Sequence, residues 1–205
     1  MQFAMNEIVS EFEKENDIKV ELIITSSGKL TSQIEQGAPF DVFVAANTKY
    51  PAYLDSLGLT TLPPKVYAHG KLGLWTLKEL SPTLALLTTD TIQKIAIANP
   101  KTAPYGKASI EALKHSGIYD QVKHKLVFGE SISQVNQFIT TGSVDIGFTA
   151  FSVISYLEMK AIGKCISINV NDHKKIEQAA VVIKSSTNMK EAKAFYNFLF
   201  SERAR

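Results

Sequence analysis

The chain has 205 residues, 45% of them hydrophobic and 20% charged, which suits one large or two small globular domains with a real core. Its formal net charge is +2 with Lys and Arg scattered along it, so neither a nucleic-acid arm nor a membrane-surface helix is indicated. The lone cysteine, Cys165, excludes an internal disulfide framework and a multi-cysteine metal site.

In chain order, Met5, Ile8, Val9 and Phe12 share one helical face, so the chain opens on an amphipathic helix. The segment Met1–Glu7 lacks the basic start and apolar core of a signal peptide, and the apolar runs are strand-length rather than membrane-length. Ile18, Val20, Leu22 and Ile24 alternate as a strand. The turn Thr25-Ser26-Ser27-Gly28 then caps a helix from about Lys29 to Gln36. Phe40–Ala46 is a nearly continuous apolar run, the pattern of a strand covered on both faces. A helix from about Tyr50 ends at Gly58, and Pro63-Pro64 makes a stiff connector near a lobe boundary.

Lys71–Leu77 reads as a strand carrying Trp75, and Ile95–Ala98 as a buried strand running into Asn99-Pro100-Lys101-Thr102-Ala103-Pro104-Tyr105-Gly106. A helix closed by Gly117 follows. Leu126–Phe128 is a short strand, Gly129-Glu130-Ser131-Ile132 a turn into a helix closed by Gly142, and Val144–Phe148 another strand. Cys165–Val170 and Glu177–Lys184 are strands, and Met189–Phe200 is the last helix. Strands alternating with helices predict a parallel α/β architecture.

No catalytic constellation emerges. His69, His115, His124 and His173 have no histidine or cysteine at metal-ligand spacing, and Glu130 and Asp145 are isolated carboxylates suited to capping or contacts between lobes. There is no nucleophile elbow and no phosphate-binding glycine loop. An enzyme is therefore disfavoured. What recurs is an apolar strand ending in a short turn where a helix begins, at Ser26-Ser27-Gly28, Pro104-Tyr105-Gly106 and Gly129-Glu130-Ser131-Ile132. Such turns present main-chain N–H groups and the positive end of a helix dipole, which together bind oxyanions without a charged side chain.

At these turns the sequence resembles the periplasmic molybdate/tungstate-binding proteins of ABC transporters. The blocks are Ser26–Leu30 with Gln33–Phe43, Ala98–Gly106, Gly129–Gln134, Gly142–Phe148 and the closing Ala194–Leu199, in family order. The resemblance implies a two-lobed periplasmic-binding-protein (type II) fold, each lobe a mostly parallel sheet flanked by helices, with the oxyanion in the cleft. The lobes are expected at residues 1–77 plus 176–205, and at 78–175. The resemblance implies ligation by the hydroxyl and N–H of Ser27 and by the N–H groups of Tyr105 and Ile132. Ser26, Gly28, Gly106 and Ser131 are further candidates. The resemblance implies molybdate or tungstate as the ligand, with no cofactor and no bare metal ion, and a membrane permease as the partner; nucleic acid is not expected as a partner. Export follows from the resemblance.

Two positions depart from the family pattern. Ala150 stands where many members place a ligand tyrosine after the glycine-bearing strand. The chain begins inside the family's first helix and stops soon after Arg203, so it is expected to lack the first strand with its ligand residue, and to bind weakly or to be a shortened form of a competent parent. Other readings keep the fold but change the ligand to sulfate, phosphate or a small carboxylate, or make the chain the effector-sensing domain of a regulator, although no helix-turn-helix segment is present.

Overall fold

A computed structural model describes residues 2–155 and 162–204. The chain divides into two compact units, a central one, Gly70–Ile176, and a terminal one formed by Gln2–His69 and Glu177–Arg205. The boundary therefore falls at His69 rather than near residue 77. Residues 70–77, expected with the first lobe, belong to the central unit because their strand pairs there.

The terminal unit contains α1 (Gln2–Glu15), α2 (Ser27–Glu35), β1 (Val42–Ala45), α3 (Lys49–Ser56), β2 (Lys65–Gly70), β8 (Ile176–Val182) and α8 (Met189–Phe198). Its sheet has the order β1-β8-β2, with β1 and β8 antiparallel. Phe43, Ala45, Val181 and Ile183 pack with Ile34 of α2 and Leu54 of α3 into one apolar cluster. Phe12 of α1 meets Phe195 and Phe198 of α8 edge-on, with ring centroids 5.2 and 5.4 Å apart, a favoured aromatic geometry.

One expected strand is absent from this unit. Ile18–Ile24 alternates as a strand should, yet forms none. Alternation fixes faces, but a strand also needs a neighbour to supply its ladder, and no strand pairs with residues 18–24 in the described sheets. Here Val20 gives its N–H to a Glu13 carboxylate oxygen at 2.8 Å, and Ile23 and Ile24 stay exposed.

The central unit contains β3 (Leu72–Thr76), β4 (Ile95–Ala98), α4 (Pro104–His115), α5 (Tyr119–Val122), β5 (Leu126–Gly129), α6 (Ile132–Thr140), β6 (Ile146–Ala150), α7 (Phe151–Ile154) and β7 (Lys164–Ser167). Its five strands lie in the order β5-β4-β6-β3-β7. The β5-β4-β6 part is parallel, and β3 runs antiparallel to both β6 and β7. Every residue of β3, β4 and β6 is buried, which is why these strands read as unbroken apolar runs rather than alternating ones. Trp75, Ala96, Ala98, Val135, Ile139 and Val144 form a core between sheet and helices. Each large side chain buried there stabilises the unit by roughly 1.5–3 kcal/mol.

Helix ends follow the sequence signals. At the end of α4, Gly117 takes φ +73° and gives its N–H to Lys114 O at 3.0 Å, while Ile118 N–H reaches Leu113 O at 3.1 Å. That double bond pattern at a left-handed residue needs glycine. Gly142 closes α6 in the same way.

Candidate functional site

In the central unit, two of the turns singled out by sequence lie side by side. β4 and β5 are parallel neighbours with Ala98 opposite Gly129, and Asn99 N–H donates to Gly129 O at 2.7 Å beyond the last ladder pair. The two strands therefore leave the sheet at one edge, and α4 and α6 both begin there. This is the carboxyl end of a parallel sheet, where α/β proteins place ligands.

The start of α4 is fixed by three devices. Asn99 accepts Lys101 N–H on its side-chain oxygen at 3.0 Å and Ala103 N–H on its main-chain oxygen at 2.8 Å, which folds the connecting turn. Pro104 stands in the first turn of the helix, where its missing N–H costs nothing. Gly106 then lets the helix sit against the strand end. A Cβ there would lie 2.0 Å from Ala98 O, and that carbonyl is backbone that cannot swing away. Tyr105 is buried, and Ser109 Oγ donates to its carbonyl at 2.8 Å. The cap, Ala103, makes no side-chain hydrogen bond to the helix, and the first turn carries no acid.

The start of α6 is capped differently. Ser131 accepts Gln134 N–H on its hydroxyl oxygen at 3.3 Å, and the Gln134 side-chain oxygen accepts Glu130 N–H at 2.6 Å. Ile132 and Ser133 follow as the first two helical residues, whose N–H groups an α-helix cannot satisfy from within. The Ile132 side chain packs against the core cluster. Its N–H is thus the functional candidate and its side chain a packing group.

The terminal unit carries the remaining candidates, Ser26, Ser27 and Gly28, at the start of α2. Ser26 is the cap and accepts Lys29 N–H at 3.4 Å. Ser27 opens the helix and is buried, and its Oγ accepts the N–H of Ala46, just past β1, at 3.1 Å. With the oxygen held by Ala46, the Ser27 O–H proton is left to donate. Thr31 Oγ1 donates to Ser27 O at 2.8 Å and fixes the first turn.

The carboxylates and histidines have other duties. Asp145 accepts the N–H groups of Gln93 and Lys94 at 2.7 and 2.8 Å and pairs with the Lys78 ammonium. Burial raises its pKa, but Lys78 and the Lys94 and Gln93 N–H groups outweigh that and hold the carboxyl below its ordinary value. Glu130 is exposed. His115 lies 3.1 Å from Asp172, and His173 Nδ1 lies 2.7 Å from Lys174 O. Among the described residues no group of three or more His, Cys, Asp or Glu could hold a metal ion, and no helix is long and apolar enough to cross a membrane. Ala150 is fully buried at the end of β6 and offers no hydroxyl.

Sequence reasoning missed two contributors. Ala46 acts through its N–H, which no residue type advertises. Gln134 was legible in principle, because Ser131 and Gln134 stand at capping-box spacing.

The sequence matches the family of bacterial extracellular solute-binding proteins over residues 1–205. It is 36% identical over 204 residues to the molybdate-binding protein ModA of Azotobacter vinelandii, covering 98% of this chain and 81% of that one. Among solved structures, the periplasmic molybdate-binding protein of Azotobacter vinelandii superposes with a TM-score of 0.93 at 32% identity, covering 99% of this chain and 90% of that one. The substrate-binding domain of a putative molybdenum ABC transporter from Clostridium difficile gives 0.68 at 32% identity, with coverage of 99% and 89%. The chain therefore belongs to the bacterial extracellular solute-binding proteins and has their type II periplasmic-binding fold.

Proposed function

We propose that this protein captures molybdate, and tungstate by the same chemistry, outside the cytoplasm and delivers it to the membrane permease of an ABC transporter. The observation that carries the reading is the pairing of the α4 and α6 starts at the ends of β4 and β5, with no acidic residue in either first turn. A dianion there meets N–H dipoles and no competing carboxylate in either first turn. The names of the relatives supply the ligand, since they are called molybdate-binding.

The donors we assign are the Ser27 hydroxyl and N–H, and the N–H groups of Tyr105 and Ile132. Ser26, Gly28, Gly106 and Ser131 shape these turns and lie beside them. All assigned groups donate, so the ligand is a fully deprotonated tetrahedral dianion, and an anion that must itself donate a proton is disfavoured. Capture and release need no bond chemistry, so the protein acts as a carrier.

Thermal unfolding with and without millimolar molybdate, tungstate, sulfate and phosphate tests the reading. A ligand bound only by the folded state stabilises it by mass action, about 2.7 kcal/mol at a hundred times its Kd, and so raises the midpoint. The expected result is a rise with molybdate and tungstate and none with phosphate. A rise with sulfate or phosphate alone changes the ligand, and no rise with any anion overturns the proposal.

A further inference from the structure

Gln134 closes the turn before α6 with two bonds, and both bear on what that turn can hold. Its side-chain oxygen accepts Glu130 N–H at 2.6 Å, and its own N–H donates to Ser131 Oγ at 3.3 Å. The donors of Glu130 and Gln134 are thereby spent inside the protein. Those of Ile132 and Ser133, at the first two helical positions, have no acceptor within the helix.

The residue type matters as much as the bonds. Glutamate completes this reciprocal clamp as well as glutamine does, and a helix start favours a carboxylate. α5 and α8 use that preference, with Asp120 and Glu191 in their first turns, while α1, α3 and α7 do not. The first turns of α2, α4 and α6 carry no acid. A glutamate at position 134 would cap α6 while neutralising the positive end that an anion needs.

We infer that Gln134 is a positioning residue of the oxyanion site. Its amide holds the Glu130–Ser131 turn so that Ile132 N–H is presented, and its neutrality admits a doubly charged ligand. The inference rests on the oxyanion reading above.

The test compares wild type, Gln134→Glu and Gln134→Ala, measuring molybdate affinity by calorimetry and the ligand-free unfolding midpoint of each. Gln134→Glu is expected to keep or raise the midpoint while weakening molybdate binding at least about tenfold, because a like charge now faces the ion. Gln134→Ala is expected to lower both, since the clamp is lost. A purely structural role would leave Gln134→Glu binding as tightly as wild type, and that result overturns the inference while leaving the oxyanion reading intact. A wild-type protein that binds no molybdate overturns the reading and the inference together.

Discussion

The Ser27 hydroxyl oxygen accepts the main-chain N–H of Ala46 at 3.1 Å, with the serine buried. This bond joins the start of α2 to the end of β1 and narrows the directions open to the hydroxyl proton. A serine left to rotate would lose part of its donor strength to entropy; this one is oriented before any ligand arrives.

Ser27→Ala is therefore expected to do two things. It removes one donor to a charged ligand, about 1.5–3 kcal/mol, which is roughly ten- to a hundredfold in molybdate affinity. It also leaves Ala46 N–H unpaired, so the ligand-free midpoint should fall. Calorimetry and thermal unfolding on the same sample separate the two effects. Unchanged affinity beside a lowered midpoint would make Ser27 a structural residue only.

Ile132→Pro deletes the N–H and also changes the side chain that packs against the core cluster, so the unfolding midpoint is measured beside the affinity. The position is the first of α6, where proline suits the helix. Ser131 before it already has φ −148° and ψ 168°, the extended conformation a following proline demands. Molybdate binding is expected to weaken by about tenfold or more, with helix content by circular dichroism unchanged. Ile132→Val, which keeps the N–H, should bind like wild type. Equal affinities for the two variants would remove Ile132 from the site.

Much of this was legible before any coordinates. The turns at Pro104–Gly106 and Gly129–Ile132 fall where strand gives way to helix, and Ser26–Gly28 opens a helix as expected although no strand precedes it. The closing glycines Gly117 and Gly142 adopt the positive φ their places predicted. What the residues could not tell is pairing. Ile18–Ile24 has the alternation of a strand but no ladder, and Lys71–Leu77 joins the central unit because β3 finds β6 and β7. Both depend on partners distant in sequence, which local periodicity does not encode. The role of Ala46 was hidden for a related reason, since a main-chain donor is chosen by its neighbours' geometry, whereas the Ser131–Gln134 spacing did carry a signal.

Gly106→Ala should be costly for its size. The added methyl would lie 2.0 Å from Ala98 O, so α4 must lift off the end of β4. Overpacking of this kind costs roughly 3 kcal/mol, and it moves the Tyr105 N–H as well. A lowered denaturation midpoint together with weaker molybdate binding is expected. Wild-type stability in this variant would show that the contact is looser than the geometry implies.

Asp145 makes the central unit sensitive to acid. Its carboxyl is held below the ordinary value of 3.8. A depressed folded value means that the stability it contributes is present above the unfolded value and is lost as pH falls through the folded one. Lys78 is the largest of the lowering influences, although its ammonium is half exposed, with a side-chain exposure of 49%, and solvent screens part of it. The N–H groups of Lys94 and Gln93 add to the effect. Asp145→Asn is expected to cost about 1–3 kcal/mol at neutral pH. Below roughly pH 4 the gap between variant and wild type should narrow as the wild-type carboxylate takes up its proton. Denaturant unfolding at neutral pH and at stepwise lower pH measures that gap, and a gap constant across the range would mean that the carboxylate charge is not what holds the loop.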